Sequence, residues 1–403
     1  MKHLLIISIV ILARISCYAQ NNNTSIADSN NHFAFKLYNE VKSEKPEQNL
    51  FFSPFSISTA LAMTYAGARG ETEKQMSQTL CFSLEQNTFH DDFSKLIEDI
   101  EKDTTNGTQL AIANSLWAQK NYKFLDTFFS LVKAHYDAIL KNVDFTNYSE
   151  REKARKELNS WVEQKTNDKI KELVKEKDID DATRLILVNA IYFKDVWENP
   201  FEASETKEKP FYFNDNDTIH TLMMQKTEAI NYYSNSDMQV VEIPYKDDKL
   251  SMLVFLPNYY DGIGAMEKSL NNGLYSQVLS SLKRERVELS LPKFKTSFNI
   301  YLEKTLAVMG MPIAFSGNAD FSGMTGRKDL EISKVIHQAF INVDESGTEA
   351  AAATAVIMGM MAMRSDNNNK IIFNANHPFI FLIKDNATGS ILFMGKIMNP
   401  KVN

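Results

Sequence analysis

Seven histidines, two cysteines and the carboxylates are the residues from which this chain of 403 could build a catalytic or metal site. Their spacing supports neither. The histidines stand singly at 3, 32, 90, 135, 220, 337 and 377, each without a second ligand at metal spacing, so no metal is expected. No G-x-S-x-G elbow, phosphate loop, H-E-x-x-H or paired C-x-x-C occurs. That points away from an enzyme and from a bound cofactor. One stretch stands apart: Asp344-Glu345-Ser346-Gly347-Thr348-Glu349, then Ala350 to Ala353, Thr354 to Ile357 and the methionine-rich Met358 to Met363. Propensity alone reads it as a helix, because alanine is the best helix former. Gly359 and the polar run Arg364 to Lys370 argue instead for a mobile, exposed segment.

The elements around that stretch read as a mixture. Phe33, Leu37 and Val41 fall on one helical face, and Ser53-Pro54 is a helix start within an otherwise helical Asn30 to Leu80. Leu110 to Ala118 alternates as a strand, Phe124 to Leu140 returns to helix, and Glu150 to Val174 reads as one long amphipathic helix carrying Trp161, Val162 and Ile170. Strand signals follow at Leu185 to Phe193, Phe211 to Phe213, Val240 to Ile243, Met252 to Leu256, Val287 to Leu291, Ile371 to Phe373, Phe379 to Ile383 and Ile391 to Gly395. The sum is an α+β fold with large mixed or antiparallel sheets.

At 44% apolar and 24% charged, the chain suits a globular protein, and it has no linker or internal repeat to mark a domain boundary. One large domain is expected. Lys2 and His3 ahead of the apolar Leu4 to Ala13, with Ser16, Cys17 and Ala19 behind, read as a secretory signal over residues 1–20. Arg14 sits badly for a lipid anchor at Cys17. Loss of Lys2 and Arg14 takes the net charge from −7 to −9, which disfavours nucleic acid and anionic membranes. Cys81 then has no partner for an internal disulfide, so the core must hold an exported, extracellular protein together.

The run Asp344 to Met363, preceded by His337-Gln338-Ala339-Phe340-Ile341, resembles the hinge and reactive centre loop of the serpins. Further blocks follow in the family's order: Asn49 to Ser56, Leu187 to Lys194 with Trp197, Leu291-Pro292-Lys293-Phe294, and His377-Pro378-Phe379 with Phe393-Met394-Gly395-Lys396. The resemblance covers about Asn30 to Pro400. It implies a serpin domain over residues 21–403, with about nine helices, three β-sheets and an exposed reactive loop over about 345–370. It also implies a secreted, monomeric suicide inhibitor of serine proteases, with cysteine proteases as a further target class. In that mechanism the protease cuts the loop, stays attached as an acyl-enzyme, and the freed loop enters the central sheet as a strand. The alternative is a non-inhibitory carrier on the same scaffold.

By the same resemblance the hinge is Glu345, Gly347, Thr348, Glu349, Ala350, Ala351, Ala352, Ala353 and Thr354. Ser53, Ser56, Asn189 and His337 match the shutter beneath the parting strands, and Trp197, Lys293 and Glu345 match the breach where insertion begins, Lys293 and Glu345 as an exposed ion pair of little stabilising value. Counting from the hinge puts the scissile bond at Met361-Ala362, which suits elastase-, chymotrypsin- or subtilisin-like pockets. Counting back from the next strand favours Arg364-Ser365 and a trypsin-like pocket, and broad specificity with more than one usable bond in this stretch is the third option. Alternation from an inward Thr348 turns Ala350, Ala352, Thr354, Val356, Met358 and Met360 inward and Glu349 outward, so no charge enters the buried face. The region His90 to Asp103 holds six acids against two lysines, so no activation by heparin-like polyanions is expected.

Overall fold

The computed structural model describes residues 25–103, 108–214, 217–349 and 370–401. The signal over 1–20, Cys17, Ala350 to Thr354 and both candidate bonds, Met361-Ala362 and Arg364-Ser365, lie outside the described residues.

The first half of the chain forms α1 (Ile26–Glu44), β1 (Leu50–Phe52), α2 (Pro54–Tyr65), α3 (Gly70–Leu80), α4 (Gln86–Asp103), β2 (Gln109–Gln119), α5 (Asp126–Tyr136), β3 (Ile139–Val143) and α6 (Tyr148–Lys165). Then come β4 (Leu185–Val196), β5 (Lys207–Asn214), β6 (Asp217–Ser234), β7 (Met238–Pro244), β8 (Leu250–Pro257), α7 (Ile263–Ser269), α8 (Asn272–Ser281), β9 (Lys283–Pro292) and β10 (Phe294–Tyr301). The last part holds α9 (Glu303–Met309), α10 (Ser322–Thr325), β11 (Lys334–Val343), β12 (Gly347–Thr348), β13 (Ile371–Asn374), β14 (Phe379–Asp385) and β15 (Ile391–Ile397).

Local chemistry explains the starts. Ser25 caps α1 by accepting from Asp28 N, and Ser53 caps α2 by accepting from Ser56 N, with Pro54 at the first helical position. The strands build a nine-stranded and a six-stranded sheet, the latter in the order β10-β11-β12-β4-β2-β3. Where three sheets were expected there are two among the described residues, because the 18-residue β6 pairs β5, β9 and β7 in turn and joins the strands into one ladder. The described helices include ten of α type, one more than expected.

Three local readings need correction. Leu50 to Phe52 is a strand paired with β15, inside what read as helix. The helix expected to reach Leu140 stops at Asp137, whose φ is +42°, and Ile139 to Val143 pairs in parallel with β2 instead. The helix expected to reach Val174 ends at Lys165, where Asn167, Asp168 and Glu172 take positive φ. Asn and Asp enter that region at low cost. What decides the path is burial: Ile170, Leu173 and Val174, all inaccessible to solvent, pack with Leu158 and Val162 on the outer face of the six-stranded sheet, against Ile186, Val188, Ala190, Ile336 and Phe340. The larger core lies between the sheets and under α1 to α3. β4 is therefore buried on both faces and reads as an unbroken apolar run.

Candidate functional site

The site lies along β4 and β11. These strands pair in parallel from Ile186↔Lys334 to Tyr192↔Phe340, a seam of seven rungs. Above it they part, and β12 sits between them, antiparallel to both, with Thr348 opposite Val343 and Asp195, and Gly347 opposite Val196. Thr348 points into the core, and its Oγ1 lies 2.7 Å from the Tyr245 hydroxyl. Gly347 has φ +153°, and a Cβ there would fall 2.2 Å from Asp195 O, so only glycine passes between the strands.

The turn before β12 is held from several sides. Trp197 Nε1 donates to Asp344 O at 3.0 Å, Trp197 N to Ser346 O at 2.9 Å, and Phe201 N to Glu345 O at 2.9 Å. The Trp197 ring stacks on Tyr245, centroids 4.5 Å apart. Glu345 Oε2 takes a 2.6 Å bond from Lys293 Nζ while Oε1 accepts from Thr206 Oγ1 at 2.8 Å. Burial works to raise the Glu345 carboxyl, but the Lys293 ammonium and the accepted bonds hold it below the usual range. Expected as an exposed pair, Lys293 and Glu345 are instead 34% and 17% exposed in their side chains. The strand edge beside them carries a costly charge. Burial pushes the Asp195 carboxyl up to about 6, against bonds from Thr108 Oγ1 and Val196 N.

Lower on the seam, Asn189 and His337 face each other as cross-strand partners. Ser53 N donates to His337 Nε2 at 3.2 Å, so Nδ1 carries the proton and donates to Asn189 Oδ1. Asn189 Nδ2 in turn donates to Ser56 O at 3.1 Å and to Asn114 Oδ1. Ser53 Oγ completes the chain by donating to Leu392 O at 2.6 Å. Ser53, Ser56, Asn189 and His337 are all buried. The structure thus gathers these four into one network across α2, β4 and β11, and gathers Trp197, Lys293 and Glu345 into a second at the upper end.

Full burial lowers the His337 pKa to about 3. A depressed folded pKa leaves the unfolded chain binding the extra proton between about 6.5 and 3, so this stabilisation is present above pH 6.5 and lost as pH falls through that window. Between pH 7 and pH 4 the intact protein should lose roughly 3 kcal/mol on this account. The measurement is the pH slope of the denaturation midpoint for wild type and His337→Gln; equal slopes would refute it.

Glu349, expected to alternate to an outward face, leaves the strand with φ +56°, and its side chain is covered. Its carboxylate pairs with Lys169 Nζ at 2.8 Å and its side chain is 6% exposed. Sequence reasoning missed Asn114, Tyr245, Lys169, Asp195 and Thr206. Asn114 was findable as a polar residue at an inward position of an alternating strand; the others carry no local signal. Among the described residues no cluster of His, Cys, Asp and Glu could hold a metal ion, and no helix is long and apolar enough to cross a membrane.

The serpin (serine protease inhibitor) family model matches residues 28–400. Human Serpin B3 is 40% identical over 395 residues, covering 93% of this chain and all of that protein. The leukocyte elastase inhibitor of Xenopus tropicalis is 42% identical over 376 residues, covering 92% and 98%. The crystal structure of human thyroxine-binding globulin complexed with thyroxine superimposes with a TM-score of 0.82 at 31% identity, covering 93% of this chain and 98% of that one.

Proposed function

We propose a function from one premise: this chain belongs to the serpin family. It is an exported, monomeric protease inhibitor, not an enzyme, formed by a single domain over residues 21–403 behind the signal at 1–20. The observation that carries the reading is β12, a two-residue strand wedged antiparallel between strands that are otherwise joined by a parallel seam.

The register extends the wedge. Continued one residue at a time, residue 349 falls opposite Asn342 and residue 357 opposite Lys334, while on the other side residue 358 falls opposite Leu185. Nine residues, 349 to 357, therefore have ladder partners waiting on both neighbours once the seam opens, and residue 358 has one on β4. An entering strand replaces one parallel ladder with two antiparallel ones. At roughly 1 kcal/mol net per bond, plus burial of side chains, the gain is on the order of 10 kcal/mol. Thr354 lands between Asn189 and His337 on both registers, its hydroxyl inward, where it replaces the bond these two must surrender.

A serine protease attacking the Met361 carbonyl forms an ester to its own Oγ and releases the amine of Ala362. Insertion then carries the attached protease away before water cleaves the ester. Elastase-, chymotrypsin- or subtilisin-like enzymes are the first targets, with a trypsin-like enzyme at Arg364-Ser365 and cysteine proteases as further classes. The acidic α4 gives heparin-like polyanions no purchase, so they should leave the rate unchanged.

The expected result with a protease panel is a covalent complex on a denaturing gel and a released peptide starting at Ala362. The intact chain should also gain thermal stability sharply after loop cleavage. Cleavage with neither complex nor stabilisation overturns the proposal. Likeness to a thyroxine-bound globulin favours a carrier as the second reading, and cleaved chain without complex is the result that would select it.

A further inference from the structure

We propose that Lys169 is a positioning residue: its ion pair with Glu349 stops the hinge at Thr348 and so delays insertion of the uncleaved chain. This rests on the insertion reading above. Lys169 belongs to the segment after α6 that crosses the outer face of the six-stranded sheet. Three fully buried side chains, Ile170, Leu173 and Val174, fasten that segment in place. The Lys169 ammonium sits 5.7 Å over the Phe340 ring. Phe340 and Tyr192 form the uppermost rung of the parallel seam, so Lys169 stands at the point where β4 and β11 begin to separate.

Glu349 is held there by three features together. Its backbone N donates to Asn342 O at 2.8 Å, its carboxylate meets Lys169, and its φ is +56°. A glutamate keeps that left-handed conformation only when its surroundings over-determine it. Entry of the next residue requires Glu349 to become extended, which re-aims its side chain and breaks the pair as made. The pair is sheltered on the Glu349 side, so salt screens it less than a surface bridge. The same contact ties the hinge to a segment that overlies the seam, so the seam cannot open at its top without disturbing both.

The test uses the full chain as Lys169→Gln, Glu349→Gln, the double variant, and the exchanged pair Lys169→Glu with Glu349→Lys. Intact, uncleaved protein is incubated at 37 °C and assayed over time for conversion to a heat-resistant form. Each single variant should convert about three- to tenfold faster than wild type. The double variant should be no faster than either single one, the exchanged pair should return toward the wild-type rate, and Lys169→Arg should keep it. Single variants that convert at the wild-type rate, including no conversion in any of them, overturn the proposal, as does a double effect equal to the product of the singles. Covalent complex formation by fresh wild type is scored separately. Its absence removes the inhibitory reading, whereas equal conversion rates with complex formation intact remove only the role of Lys169.

Discussion

Replacing Thr348 with arginine is expected to turn the protein from a trap into a substrate. Thr348 is wholly buried between Val343 and Asp195, with its hydroxyl on Tyr245 and the Trp197–Tyr245 stack beneath it. A guanidinium placed there leaves water for an aromatic floor, and its cross-strand partner Asp195, whose carboxyl burial already pushes up to about 6, offsets only part of a cost of several kcal/mol. The first rung of the inserted strand would then be its worst, and hydrolysis of the acyl-enzyme would win the race. The rest of the sheet keeps its own pairings, so the native fold should survive. Thr348→Arg should be cut at the same bond as wild type, yield little or no covalent complex, and show no rise in melting temperature after cleavage. Thr348→Val removes only the hydroxyl bond, about 1 kcal/mol, and should still trap protease. A wild-type yield of complex from the arginine variant would sink the insertion mechanism.

The second large effect is expected from Asn189→Ala. Its side chain accepts from His337 and donates to Ser56 O and Asn114 Oδ1, all inside the protein. Truncation strands the His337 Nδ1–H and the Asn114 carbonyl without partners, each worth about 1 to 3 kcal/mol, so the intact protein should lose on the order of 3 to 5 kcal/mol. The bond removed is also the side-chain tie across the seam, so uncleaved variant should open and self-associate faster. Loop-cleaved protein should suffer less, because Thr354 then stands between these strands and reaches His337. Denaturant midpoints of intact and cleaved forms check this. Equal losses in both would make the network an ordinary core cluster rather than a gate.

Much of the site was legible residue by residue. Ser53-Pro54 announces a helix start from its own types, and α2 begins there with the Ser53 cap. The strand over Leu110 to Ala118 shows in its alternation, and the unbroken apolar run of β4 shows a strand covered on both faces. Gly347 could be singled out as the residue before the hinge threonine, though not for its reason, which is the backbone of Asp195 in the way of any side chain. The helix expected over Glu150 to Val174 misled for an instructive cause. Its periodicity is real up to Lys165, and beyond it Ile170, Leu173 and Val174 are apolar because they cover the sheet, not because they continue a helical face.

Composition, caps, alternation and apolar runs are properties of neighbouring residues, and they determined the α+β class, many of the elements and the small, uncharged character of the inward hinge. The meeting of Asn189 with His337 is set by strand register, that of Tyr245 with Thr348 by the place of β12 between its neighbours, and that of Lys169 with Glu349 by the path of the segment after α6 across the sheet, between positions 148, 103 and 180 apart. A shift of one residue in that register would turn Asn189, His337 or Thr348 to the opposite face. No local pattern encodes such a shift. Only the closed sheets, with the bulk of two hydrophobic cores choosing the face of every strand, decided which polar groups would share the seam.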